Sequence, residues 1–261
     1  MRALHTSATG MAAQQFNLDV IANNLANVNT AGFKKSAAHF EDLLYQNLRA
    51  PGAPSGNGNQ LPVGSQVGLG VSIGSTRQAF GQGTLQQTGG IYDVAIKGDG
   101  FLRVLLPDGN LAYTRDGALA IDGQGRLVTS SGNVIQPEIV IPQDNEGITI
   151  APDGTVSVKR PGQANAEQIG QIQLTRFINP SGLQAIGGNM YRPTAASGDP
   201  IDGNPTENGL GALVHQMVEA ANVEVIEEMI RMITIQRAYE TNSKAIQTAD
   251  EMLQGANSLK R

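Results

Sequence analysis

The chain has 261 residues, 40% of them hydrophobic and 16% charged, with a net charge of −5 and no cysteine. That length and apolar content suffice for one large or two ordinary domains with a buried core. The missing cysteines exclude disulfides and thiolate chemistry, the scattered Lys and Arg leave no basic patch for nucleic acid or anionic lipid, and no run of ~20 apolar residues permits direct membrane insertion.

At the N-terminal end Leu4, Met11, Leu18 and Leu25 recur every seven residues, and Ile21 and Val28 follow the last two by three. This spacing predicts an amphipathic helix of about 40 Å that closes at residues 29–32, with Gly32 suited to the position past the last turn. No apolar run of signal-peptide length precedes Gln14 and Gln15, so no cleaved signal is expected. Amides at Asn23, Asn24, Asn27 and Asn29 lower helix propensity and call for hydrogen-bond partners, either in closing the helix end or in a polar contact between subunits.

Residues 46–75 carry a single charge, Arg49, and are dense in Gly, Pro, Asn and Gln, as an extended or loop segment is; residues 193–211 are similar. Gly70-Val71-Ser72-Ile73-Gly74 has the spacing of a nucleophile elbow. No helical pattern follows Ser72 and His215 is the one later histidine, so a Gly-rich strand is the reading, with an esterase or carbohydrate-active enzyme as the alternative. From residue 93 the apolar period falls to two in DVAIK (93–97), FLRVL (101–105), ITI (148–150), TVSV (155–158) and QIQLT (171–175). Asp108-Gly109, Asp122-Gly123 and Asp153-Gly154 stand between runs at hairpin separations, which predicts an antiparallel β-rich domain over 93–195.

At the C-terminal end Val218, Val225, Met232, Tyr239, Ile246 and Leu253 form a row of sevens. Ala221, Ile235, Ala249 and Ala256 form a companion row that Glu228 and Asn242 interrupt. The pattern predicts a helix over 218–256, about 58 Å long. Ile226, Met229, Ile230 and Ile233 widen its apolar surface beyond what one partner helix covers. Glu227 and Arg231 have the spacing of a helix-supporting ion pair. His5, His39 and His215 share no ligand spacing, although His5 and His215 come near one another if the terminal helices pair. No catalytic, cofactor-binding or metal-binding residue is assigned. The expected fold class is α+β: terminal helices (1–32 and 218–261) paired as a coiled coil, a β-rich domain (93–195), and connectors (33–92 and 196–217).

The segment LDVIANNLANVNTAGFKK (18–35) resembles the N-terminal signature of bacterial flagellar rod, hook and hook-associated axial proteins, and VEVIEEMIRMITIQRAYETNSKAIQTADEML (223–253) is similar to their C-terminal region. FEDLLYQ (40–46), DVAIKGDGF (93–101), LPDGNLAYTRDGAL (106–119) and LVTSSGNVIQP (127–137) carry the likeness through the middle and point to the distal-rod branch of the family. Asn23, Asn24, Asn27, Gly32, Phe33, Lys34, Gln236, Arg237, Ala238 and Tyr239 stand at signature positions. The resemblance implies a non-enzymatic structural subunit of the basal body, exported unfolded without a cleaved signal and polymerising into a straight helical tube across the periplasm. The tube would transmit torque to the hook and conduct exported subunits. Implied partners are further copies of the chain, the proximal rod proteins, the hook protein, the P-ring and L-ring proteins and the export apparatus. Residues 46–66 occupy the place of an insertion associated with stiffness, and a hook or proximal rod subunit is the alternative within the family. In that setting Leu4, Met11, Leu18, Ile21, Leu25, Val225, Met232, Tyr239, Ile246 and Leu253 are the expected subunit-packing residues. A monomeric coiled-coil adaptor is the remaining alternative.

Overall fold

The computed structural model describes residues 2–52, 62–162 and 166–258. Residue 1, residues 53–61 of the 46–66 insertion and residues 259–261 lie outside the described residues. The fold is α+β, and the chain divides into two compact units, one of residues 1–25, 36–77 and 224–261, the other of residues 26–35 and 78–223.

The first unit holds the two long helices, α1 (Arg2–Ala26) and α2 (Val225–Ser258). At 1.5 Å per residue they are about 37 and 51 Å long. They contact each other antiparallel: a Cβ on Gly10 would lie 3.1 Å from Asn242 Nδ2, and Asn24 Nδ2 lies 3.4 Å from Glu228 Oε2. Ala13, Ile21 and Asn24 are buried on α1, and Glu228, Ile235 and Ala249 on α2. The α2 row facing inward is therefore the companion row, the one that contains Glu228 and Asn242. Two strand pairs complete the unit, Ser36–Asp42 with Val71–Gln78 and Tyr45–Arg49 with Ser65–Gly68. Gly70 sits between the pairs at φ +127°, where an added Cβ would meet Thr9 Oγ1 at 2.3 Å, so α1 approaches this backbone as only glycine allows.

The second unit is built on a nine-stranded antiparallel sheet. Phe101–Leu105 lies near its centre, paired with Leu111–Thr114, Val134–Gln136 and Leu174–Arg176. A three-stranded sheet over Gly147–Ile150, Thr155–Lys159 and Glu167–Gln171 packs beside it, and the pairs Val94–Lys97 with Ala212–His215 and Leu85–Gln87 with Met217–Glu219 close the unit. Inward residues of these strands, among them Ile96, Leu102, Val104, Ile135, Val156, Val158 and Leu174, make one apolar core. Phe101, Tyr113, Phe177, Leu183 and Tyr191 make a second cluster, in which Phe80 joins edge-to-face ring contacts at 4.8–6.0 Å. The Asp-Gly pairs at 108, 122 and 153 turn hairpins as expected, pairing Leu105 with Leu111, Leu127 with Ile121, and Ile150 with Val156.

Three expectations are corrected. The C-terminal helix begins at Val225, not 218, and Met217–Glu219 is a strand. The heptad spacing runs on through 218, but the Asn222 side chain holds its segment by accepting from the Lys35 N–H and donating to the Ala79 and Gly81 carbonyls. Helix α1 ends at Ala26, so Gly32 is not its closing residue. Gly32 has φ +69° and its N–H donates to the Glu219 carbonyl at 2.7 Å; a Cβ there would lie 2.6 Å from the Asp116 nitrogen. The run 171–175 is two strands, because the buried Ile172 turns its N–H to the Gly154 carbonyl at 2.8 Å.

Candidate assembly surface

The signature amides find partners within the chain. Asn24 is 1% exposed and clasps the first residue of strand Ser36–Asp42, donating to the Ser36 carbonyl at 2.8 Å and accepting from the Ser36 N–H at 2.9 Å. Asn27 Oδ1 accepts from the Thr30 hydroxyl at 3.2 Å in the turn after α1, whereas Asn23 is exposed. Phe33 is half-buried in the second unit.

Lys34 is fully buried and sits in a cluster of buried charges. Its Nζ donates to Glu219 Oε1 at 2.7 Å and to the Gly81 carbonyl at 2.8 Å, with both side chains at 1% exposure or less. Glu219 also accepts from the Gly83 N–H at 2.8 Å and pairs with Arg115 Nε at 3.2 Å. Arg115 donates to the Gly98 and Gly100 carbonyls. Burial holds the Lys34 ammonium below the ordinary lysine value, the Arg115 charge lowers it further, and Glu219 opposes both. Burial likewise lowers Arg115, against the pull of Glu219 and Asp99. The Tyr191 hydroxyl is pushed up to about 12, first by burial and then by Glu219, with Arg115 opposing. No local sequence signal exposed this triad, since Lys34 and Glu219 stand 185 positions apart.

On the helices, Leu4, Met11, Leu18 and Leu25 are half-buried and Ile21 is buried. Met232, Ala238 and Ile246 are half-buried, while Val225, Tyr239 and Leu253 remain 38–43% exposed; Gln236 and Arg237 face solvent. Ile226, Met229, Ile230 and Ile233 are 50–75% exposed at i, i+3, i+4 and i+7, so α2 shows an uncovered apolar stripe. The Glu227–Arg231 ion pair forms beside it at 2.7 Å. Cavities of about 370 and 350 Å³ flank the helix pair, the first beside Leu18, Gln236 and Tyr239, the second beside Asn24, Ser36 and Glu228.

The alternative chemistry gains nothing from the structure. Ser72 is exposed in strand Val71–Gln78, and His215 lies on a strand with Nε2 2.7 Å from the Ile91 carbonyl. Among the described residues no group of three His, Asp or Glu is placed to hold a metal, and no helix is long and apolar enough to cross a membrane.

Three family models match the chain: flagella basal body rod protein over residues 4–34, flagellar hook protein FlgE/F/G D1 domain over 95–158, and flagellar basal body rod FlgEFG protein C-terminal over 214–259. The flagellar basal-body rod protein FlgG of Borreliella burgdorferi is 52% identical, covering 100% of this chain and 99% of its own. Caulobacter vibrioides allows a comparison within one organism: its FlgG is 49% identical over 100% of both chains, and its rod protein FlgF 34% identical over 97% of this chain and 96% of its own. Matched from end to end and nearer to FlgG than to FlgF, the chain belongs to the FlgG family of flagellar basal-body rod proteins.

Proposed function

We propose that the chain is a structural subunit of the flagellar distal rod, polymerising into a straight helical tube across the periplasm. The observation that carries this reading beyond family membership is the stripe of Ile226, Met229, Ile230 and Ile233, left open to water by the chain's own fold. Covering it with a neighbouring copy is worth on the order of 5 kcal/mol per subunit, at the usual gain for burying such side chains. The contacting helices then serve as the inner layer, packed as a coiled coil, with Leu4, Met11, Leu18, Ile21, Leu25, Val225, Met232, Tyr239, Ile246 and Leu253 in its seams. Repeated contacts that do not close a ring give an open tube, which passes torque through many packed side chains and leaves a channel for exported subunits. Its ends meet the proximal rod and the hook, its flank faces the P-ring and L-ring proteins, and no catalytic role falls to any residue.

The test keeps the full chain. Ile230→Asp puts a charge in the stripe at an exposed position and leaves the fold of the single chain intact by circular dichroism. Straight tubes from the parent chain, seen by negative-stain microscopy, and none from the variant are the expected outcome. A variant that polymerises as well as the parent removes the stripe from the assembly mechanism.

A further inference from the structure

We propose that Met229 is a redox modification site: a peroxide converts its thioether to the sulfoxide in the free chain, and the oxidised subunit is kept out of the polymer until a reductase restores it. This rests on the self-assembly reading and adds a chemical condition to it.

The composition directs two-electron oxidants to thioether sulfur. The chain has no Cys and no Trp, so its seven Met are the side chains most open to a peroxide, and susceptibility among them follows exposure. Met11, Met190, Met217 and Met232 are half-buried, and the Met190 sulfur also accepts from Asn133 Nδ2 at 3.3 Å. Met229 at 50% and Met252 at 68% are the exposed pair among the described residues. Their settings differ. Met229 has Ile226 one turn before it, Ile233 one turn after it and Ile230 beside it, all more than half exposed, so it is the one member of the stripe that a peroxide can change. Met252 stands on the same helix about 140° around the axis from Met229, next to the exposed Asp250 and Glu251 and outside the stripe.

In the reaction a sulfur lone pair attacks one peroxide oxygen and the O–O bond breaks. The hydroxide that leaves takes the proton of the transferred hydroxyl, giving sulfoxide and water; sulfur loses two electrons and the peroxide gains them. The product is a polar acceptor where an apolar sulfur stood. Water serves it while the stripe is open. Once a neighbouring copy covers the stripe, the S=O group lies among isoleucine side chains that offer no donor, so burial that stabilised the contact now opposes it. Every subunit added to the polymer meets the same penalty.

Hydrogen peroxide is the probe, applied to the full chain before and after assembly. Peptide mass spectrometry reads the gain of one oxygen at each Met, and sedimentation with negative-stain microscopy reads polymer. Oxidation of the free chain is expected to lower the polymer yield roughly tenfold or more, equally in the parent and in Met252→Leu, whereas Met229→Leu keeps its yield. A methionine sulfoxide reductase is expected to restore the oxidised parent. Met229→Gln places a polar acceptor there without oxidant; folded by circular dichroism, it is expected to polymerise as poorly as the oxidised parent. Within preformed tubes Met229 is expected to gain oxygen far more slowly than in the free chain. A parent chain oxidised at Met229 that polymerises in full, or a Met229→Leu chain that loses assembly on oxidation, overturns the site and leaves the rod reading standing. Tubes in which Met229 oxidises as fast as in the free chain overturn the covered stripe and the site together. A parent chain that forms no tubes before oxidation overturns self-assembly itself.

Discussion

Replacing Glu219 by Gln keeps the shape of the side chain and its acceptor for the Gly83 N–H, but leaves Lys34 and Arg115 buried without their shared counter-charge. Breaking a buried pair from one side costs about 3–5 kcal/mol, because an uncompensated charge remains in a low dielectric. The Lys34–Glu219 contact is at 2.7 Å with both groups at 1% exposure or less, so solvent screening does not reduce that figure. For a unit of this size the loss lowers Tm by about 6–20 °C. Lys34→Met removes one of the two cations and leaves Glu219 paired with Arg115, so it costs about 3 kcal/mol, near the lower end. The double variant, with a neutral amide and an apolar side chain facing each other, costs less than the sum of the two. The chain has no Trp, so thermal melts by circular dichroism are the suitable assay. A shift below about 2 °C for Glu219→Gln, or strict additivity in the double variant, would show that water or local relaxation reaches the triad and would refute the reasoning.

Three further outcomes are expected. Burial pushes the Tyr191 hydroxyl up to about 12, so an absorbance titration is expected to show ionisation well after the ordinary range near 10, and Tyr191→Phe to diminish that late step. Between pH 10 and 12 the unfolded chain loses this proton first, so the hydroxyl's contribution is fully present below pH 10 and stability falls as pH rises through that window. Asn24→Ala deletes both hydrogen bonds to Ser36 at a cost of about 1–3 kcal/mol; hydrogen exchange at the Ser36 amide accelerates, while strands of the β-rich unit keep their protection. Gly70→Ala forces a side chain into φ +127° and onto Thr9 Oγ1, and its melting temperature falls even when paired with Thr9→Ala, since backbone strain persists once the clash is gone.

The sequence disclosed what is local or periodic. The sevens of Leu4 to Leu25 and Val225 to Leu253 mark both helices, and each Asp-Gly pair marks its hairpin, because helix faces and tight turns are encoded within a few residues. Strand Tyr45–Arg49 was hidden because all five of its residues are exposed, so it has no alternation of buried and solvent-facing positions. The start of α2 was set seven residues early because heptad spacing cannot register the Asn222 hydrogen bonds that hold the preceding segment. Glu228 and Asn242 interrupted an apolar row on paper, yet theirs is the row that faces α1, where polar groups meet Asn24 and Gly10. The Lys34, Arg115 and Glu219 triad is assembled wholly by tertiary structure, which pattern reading does not reach.

The antiparallel contact of α1 with α2 also sets a timetable. Helix α1 is synthesised about 200 residues before those it meets on α2, Glu228, Ile235 and Asn242 through Ala249. Until Glu228, Ile235 and Ala249 have left the ribosome, the face of α1 that meets α2 lacks its partner, although the β-rich unit already holds all its core strands. The helical unit thus closes late by construction, after a long interval in which its leading end is an uncommitted thread. A ribosome halted anywhere before residue 228 leaves the α2-facing side of α1 uncovered, so truncated products would mark themselves for capture by whatever recognises an unpaired amphipathic helix.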